Sequence, residues 1–84
     1  MTMKSAVLLE EAAAYMECQY LSDLRFLSPY QRCVLAAHLE RHDAQRYTLF
    51  EWNDALEYLS GYAAESTAEE ARSKLLYSLR QLGR

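Results

Sequence analysis

Apolar positions recur along this chain at the three- and four-residue intervals of helices. Leu9, Ala13, Met16, Tyr20 and Leu24 are spaced to lay one apolar stripe along a helix predicted from about Ala6 to Arg25. Ser28 precedes Pro29, and a residue before proline is pushed out of the α region, so the first helix ends or bends there. A second helix begins at once. Ser28 suits the N-cap, Pro29 suits the first helical position where no amide hydrogen is missed, and Gln31 completes a Ser-x-x-Gln capping box. Its expected inward face is Val34, Leu35, His38, Leu39 and His42.

The third start combines Thr48 as cap, Glu51 three residues on as the capping acid, and Tyr47 with Trp52 as a hydrophobic staple. Trp52, Ala55, Leu56 and Leu59 form the stripe behind it, and Gly61 is placed for the left-handed conformation that closes a helix. The fourth helix starts at Ser66 or Thr67, with Glu69 or Glu70 as the matching acid. Its stripe is Ala71, Leu75, Leu79 and Leu82, and Gly83 ends it. No repeat or long linker divides the chain. Short connections at Asp43 to Tyr47 and Tyr62 to Glu65 make neighbouring helices share a core. The expectation is an all-α fold: one domain over residues 1–84, a compact bundle of three to four helices, with a helix-turn-helix-like arrangement of the last three as one form. Pro29 leaves two placements for the first helix, onto the other three or out toward a second subunit.

Composition supports helices over sheets, because two Gly and one Pro supply little of the turn chemistry that β architectures need. A chain of 84 residues has a thin core, burying only about 60–65% of its unfolded surface. That thin core and seven tyrosines, more than it can bury with every hydroxyl satisfied, make room for a homodimer, although no heptad specifies one. Cys18 and Cys33 do not form the dense cysteine framework of a secreted domain and are expected as buried free thiols in a reducing compartment. Lys4 followed by a short "AVLL" is not a signal peptide, and no run is apolar enough for a membrane span, so the expected location is cytoplasmic.

His38 and His42, four apart, point one way from a helix, as in zinc sites. The metalloprotease pattern needs glutamate directly after the first histidine, where this chain has Leu39. Glu40 lies about two 100° steps from His38, and Cys33 is about 140° away, which leaves Asp43 as the nearest third ligand. A packing role for His38 and a helix-end role for His42 explain the pair more simply, so no metal and no cofactor are expected. Nor does the chain carry a nucleophile elbow, a phosphate-cradling glycine loop or an activating pattern beside either cysteine. An enzyme is not expected.

Charge changes the picture most. Residues 1–27 carry two basic and four acidic groups, for −2, and residues 28–47 three basic and two acidic, for +1. Residues 48–70 hold six acids and no Lys or Arg, while residues 71–84 hold Arg72, Lys74, Arg80 and Arg84 and no acid. Glu51, Asp54 and Glu57, three apart, form a ridge away from Trp52, Leu56 and Leu59, and Tyr58 falls on that ridge between Glu51 and Asp54. An acidic ridge carrying an aromatic ring suits a basic protein surface, the charges steering approach and the ring supplying contact area. The same run of acids also serves, more plainly, to solvate an outward face, partly matched by the basic fourth helix. The acidic faces of the first and third helices do not suit a membrane surface.

Two functions follow as expectations. The first is a non-enzymatic adaptor or inhibitor that meets a basic protein partner through Glu51, Asp54, Glu57, Tyr58 and Glu65. In size, acidity and helix content the chain is similar to phage-encoded inhibitors of host systems, certain anti-CRISPR proteins among them. The alternative is a DNA-binding regulator. "LSPYQRCVLAAHL", "TLFEWNDALEYLSG" and "STAEEARSKLLYSLRQL" resemble the three helices of a helix-turn-helix domain of the sigma-factor region 4 kind. That resemblance implies that the last helix enters the major groove, with Arg72, Ser73, Lys74 and Tyr77 toward DNA and Arg80 and Arg84 at phosphates. Two departures weigh against it: Gly61 to Thr67 is longer than a tight turn, and Glu65, Glu69 and Glu70 stand where anionic backbone would lie.

Overall fold

Three helix starts in the computed structural model, which describes residues 7–81, are built by the side chains that flank them. Helix α2 spans Pro29–Glu40, α3 Leu49–Ser60 and α4 Ala68–Gln81. At α2, Ser28 Oγ accepts the Gln31 amide hydrogen at 3.2 Å and Gln31 Oε1 accepts that of Ser28 at 2.9 Å. Thr48 and Glu51 exchange the same pair of bonds at α3, at 3.1 and 3.0 Å. At α4 the cap is Thr67, whose Oγ1 accepts from the Glu70 amide at 3.1 Å, while Ser66 Oγ donates to the Glu70 carboxylate. Each such cap contributes about 1 kcal/mol by satisfying amides that have no partner within the helix. Gly61 closes α3 at φ 75°, with its amide on the Glu57 carbonyl.

The first helix departs from expectation. Helix α1 covers Val7–Tyr15 and stops ten residues before Arg25. Its last turn is a Schellman closure: the Cys18 amide donates to the Ala13 carbonyl at 2.8 Å and the Glu17 amide to that of Ala14 at 3.1 Å. Glu17 takes the left-handed position at φ 59° that glycine usually holds, so no glycine marks the stop. A 3₁₀ helix at Leu21–Phe26 then returns the chain, and Tyr20, placed on the apolar stripe by periodicity, is exposed. Leu82, Gly83 and Arg84, and Ala6 at the other end, lie outside the described residues.

The core is made by Leu8, Leu9, Ala12 and Ala13 of α1, Leu24 of the 3₁₀ segment, Leu35, Ala36 and Leu39 of α2, Trp52, Ala55, Leu56 and Leu59 of α3, and Ala71, Leu75, Leu76 and Leu79 of α4. Trp52 is fully buried, and a leucine or tryptophan so placed contributes about 1.5–3 kcal/mol or more. Its indole N–H donates to the Ala44 carbonyl at 2.9 Å, and the Tyr47 ring meets it edge-on at 5.4 Å, completing the staple. Helix α4 packs on both α2 and α3, and α1 lies against α3. The result is an all-α bundle with a radius of gyration of 11.7 Å, that of a closely packed chain of this length. The α3 to α4 connection, Gly61–Thr67, is seven residues long, against the three or four of a helix-turn-helix. On α2 the buried face turns toward Ala36, leaving Val34, His38 and His42 half-buried.

Candidate functional site

The acids of residues 48–70 reach the surface by two routes. On α3, Phe50, Asn53, Asp54 and Glu57 stand at i, i+3, i+4 and i+7 and so share one face. With Leu49 and Ala64 they line an open groove of about 340 Å³ between α3 and the 62–65 segment. Phe50 is 61% exposed there, a large apolar ring held beside two carboxylates. The groove wall is fixed by Asn53, whose Nδ2 donates to the Glu65 carbonyl at 2.9 Å and whose Oδ1 accepts the Glu65 amide hydrogen at 2.8 Å. Beyond that wall a second, shallower depression runs along α4, lined by Glu65, Glu69, Glu70, Ser73, Lys74 and Tyr77. Glu65 lines this depression, while its backbone is held by Asn53 of the groove wall.

Of the six acids, Glu65 is the one whose carboxylate meets a basic side chain among the described residues, at 2.7 Å from Lys74 Nζ. That hydrogen bond, together with the Glu65 charge, raises the Lys74 pKa. Lys74 also lies 5.6 Å from the Tyr62 ring centre. Asp54, Glu57, Glu69 and Glu70 have no such cation among the described residues. Glu69 takes a 3.4 Å bond from Gln45, and Glu70 the Ser66 hydroxyl, both neutral donors.

The ridge of Glu51, Asp54, Glu57 and Tyr58 is therefore divided. Glu51 turns its carboxylate back to the Thr48 amide as a cap, and Tyr58 packs at the core edge under Arg25, whose guanidinium lies 5.3 Å from the ring centre. Asp54 and Glu57 remain outward, and Leu49, Phe50, Asn53 and Ala64 join them. Periodicity held that signal: counted by three and four from Phe50, the acidic face acquires its aromatic residue there rather than at Tyr58.

The fourth-helix cations are largely engaged within the chain. Arg72 Nε donates to the His42 carbonyl and Nη2 to that of Glu40, each at 2.9 Å, and Arg80 pairs with the Glu40 carboxylate. Both arginines bind the C-terminal end of α2, where carbonyls lack helical partners and the dipole is negative. Ser73 and Tyr77 are exposed, and Arg84 lies outside the described residues.

Matching of the chain against protein-family models, curated proteins and solved structures finds nothing similar. Its surface must speak for its function.

The histidines occupy a separate stack. His38 lies on Tyr15 of α1, ring centres 3.7 Å apart and planes 11° from parallel, and His42 meets His38 and Tyr47 edge-on at 5.2 and 6.0 Å. Burial, and after it the charges of His42 and Arg41, lower the His38 pKa, with Glu11 opposing. Asp43, the nearest third ligand by sequence, caps the short 3₁₀ helix Ala44–Arg46 through the Gln45 amide at 3.1 Å. Among the described residues no three His, Cys, Asp or Glu side chains gather as a metal site, and no helix is long and apolar enough to cross a membrane. Cys18 is half-buried beside the core, and burial raises its thiol pKa, with Asp23 adding to it. Cys33 is exposed, against the expectation that both thiols are interior, because the α2 face opposite Leu35 and Leu39 points outward.

Proposed function

We propose that this chain is a non-enzymatic interaction module, an adaptor or inhibitor that docks its anionic α3 and α4 face on a basic surface of a protein partner. The observation carrying this reading is that Asp54 and Glu57, which line the groove of the exposed Phe50, form no salt bridge among the described residues, nor do Glu69 and Glu70 on α4. Carboxylates on a rigid helix raise the encounter rate with a positive surface, and an adjacent aromatic ring supplies the contact that holds it. Where the partner's basic surface otherwise carries nucleic acid, occupation by this face inhibits by competition. The engaged state of Arg72, Lys74 and Arg80 supports a protein partner over DNA, since phosphate contacts need free cations.

The test is affinity capture from cells with the wild-type chain and with Asp54→Lys/Glu57→Lys, followed by titration of the captured protein over a salt series. Glu51 is left unchanged because its reversal would break the α3 cap. The expected result is a partner with a basic surface, lost in the double variant at unchanged helicity, whose affinity falls as salt screens the pair. Equal capture by both forms would count against the anionic face.

A further inference from the structure

We infer that the groove between α3 and the 62–65 segment receives one apolar side chain of the partner, with lysines or arginines on either side of it pairing with Asp54 and Glu57. This rests on the basic-partner reading and specifies what the partner must present. Three observations combine. The groove is floored by apolar atoms of Leu49, Phe50 and Ala64, so desolvating it favours an apolar side chain. Its volume of about 340 Å³ admits a side chain of leucine or phenylalanine size together with the flanking backbone. Its rim is acidic on the α3 side alone, where Asp54 and Glu57, three residues apart, stand about 5–6 Å from one another at their Cβ atoms.

The groove is also ready before binding. Both polar atoms of the Asn53 side chain are used in holding the Glu65 backbone, and Glu65 in turn is held by Lys74, so the wall opposite α3 is tied at two levels. A wall already ordered loses little entropy when occupied, which is what lets a small contact become a specific one. The chemistry selects a protein segment. A phosphate-bearing ligand meets repulsion from Asp54 and Glu57, and an apolar molecule without cations leaves that rim unmatched. A cation-flanked apolar anchor satisfies floor and rim together.

The probe is a fluorescein-labelled peptide with a central Phe between two Arg-Lys pairs, compared by anisotropy with the same peptide carrying Ser in place of Phe. The expected result is binding of the Phe peptide, about tenfold or more weaker for the Ser peptide. Asp54→Asn/Glu57→Gln should weaken the Phe peptide and flatten its salt dependence, and Phe50→Ser should erase most of the preference for Phe over Ser. Equal binding of the two peptides, lost in Asp54→Lys/Glu57→Lys, would overturn the anchor while leaving the anionic-face reading standing. Binding of neither peptide would overturn the anchor too, and the capture experiment then decides the broader reading by itself. Binding unaffected by any of the groove variants would place the contact elsewhere and reject the inference.

Discussion

The Tyr47 hydroxyl donates to Glu11 Oε1 at 2.5 Å, tying α1 to the residue that precedes the α3 cap. The same carboxylate accepts Arg46 Nη2 at 3.1 Å, and the Arg46 guanidinium lies 4.8 Å from the centre of the Tyr47 ring. A nine-residue helix is marginal alone, so α1 depends on tertiary contacts of this kind and on Leu8, Leu9, Ala12 and Ala13 in the core. One phenol thus links the first helix, the turn before α3 and, through its edge-on contact, Trp52.

Tyr47→Phe keeps the ring and removes the hydroxyl. Glu11 retains Arg46 and solvent, so the expected loss is about 1–2 kcal/mol in urea unfolding. A pH signature accompanies it. Burial, then the bond and charge of Glu11, push the Tyr47 pKa up to about 12 from its ordinary 10.0. The phenol ionises more readily in the unfolded chain, so stability is full below 10 and falls as pH rises from there toward 12. The melting temperature of the wild type should drop more steeply than that of Tyr47→Phe across that interval. Parallel curves would show that the phenol is not coupled to folding.

His38 sets the opposite limit. It is stacked on Tyr15 and faces His42, Arg41 and Glu11, with its pKa lowered from 6.5 chiefly by burial. The unfolded imidazole therefore binds a proton first, and stability falls as pH drops below about 6.5. His38→Gln should flatten that fall, with melting temperatures taken on both sides of 6.5. A slope unchanged by the substitution would assign the acid sensitivity to carboxylates.

What sequence could disclose was local. Thr48, Glu51, Tyr47 and Trp52 act within five residues of one another, so their spacing alone specified the α3 start, and Gly61 its end. The stop after Tyr15 was hidden because the left-handed position holds Glu17, while Pro29 offered a visible but later break. Charge segregation was legible as a total, yet its partners were not. Arg72 finds carbonyls thirty and thirty-two positions back, and Arg80 a carboxylate forty back, distances that periodicity does not span. Helical spacing placed Asp54 and Glu57 on a surface face and marked Glu51 as the capping acid; the loss of Tyr58 to Arg25 depended on a neighbour in space.

Arg72 is consequently a structural residue with a measurable share in stability. Its two bonds satisfy carbonyls at the end of α2 with a cation at the favourable pole of the dipole. Arg72→Ala should cost about 1–2 kcal/mol, since such charge-assisted bonds are stronger than neutral ones and this side chain is partly exposed. Arg72→Lys should recover less than half of the loss, because a point cation cannot reproduce the fork. Full recovery by lysine would mean that charge, not geometry, holds α2 to α4.

Two left-handed positions offer a matched pair of tests. At Gly61, φ is 75° and an added Cβ would meet nothing within 4 Å, so Gly61→Ala isolates the backbone term and should destabilise by about 1 kcal/mol. At Glu17, φ is 59° and a side chain already bears that cost. Glu17→Gly should relieve it, and after the greater freedom of glycine in the unfolded chain is set against the gain, the net stabilisation should be about 0.5–1 kcal/mol. Urea midpoints at unchanged denaturant slope would measure both. A destabilised Glu17→Gly would mean that the Schellman closure of α1 is not held in solution, and with it the early turn that brings Leu24 back into the core.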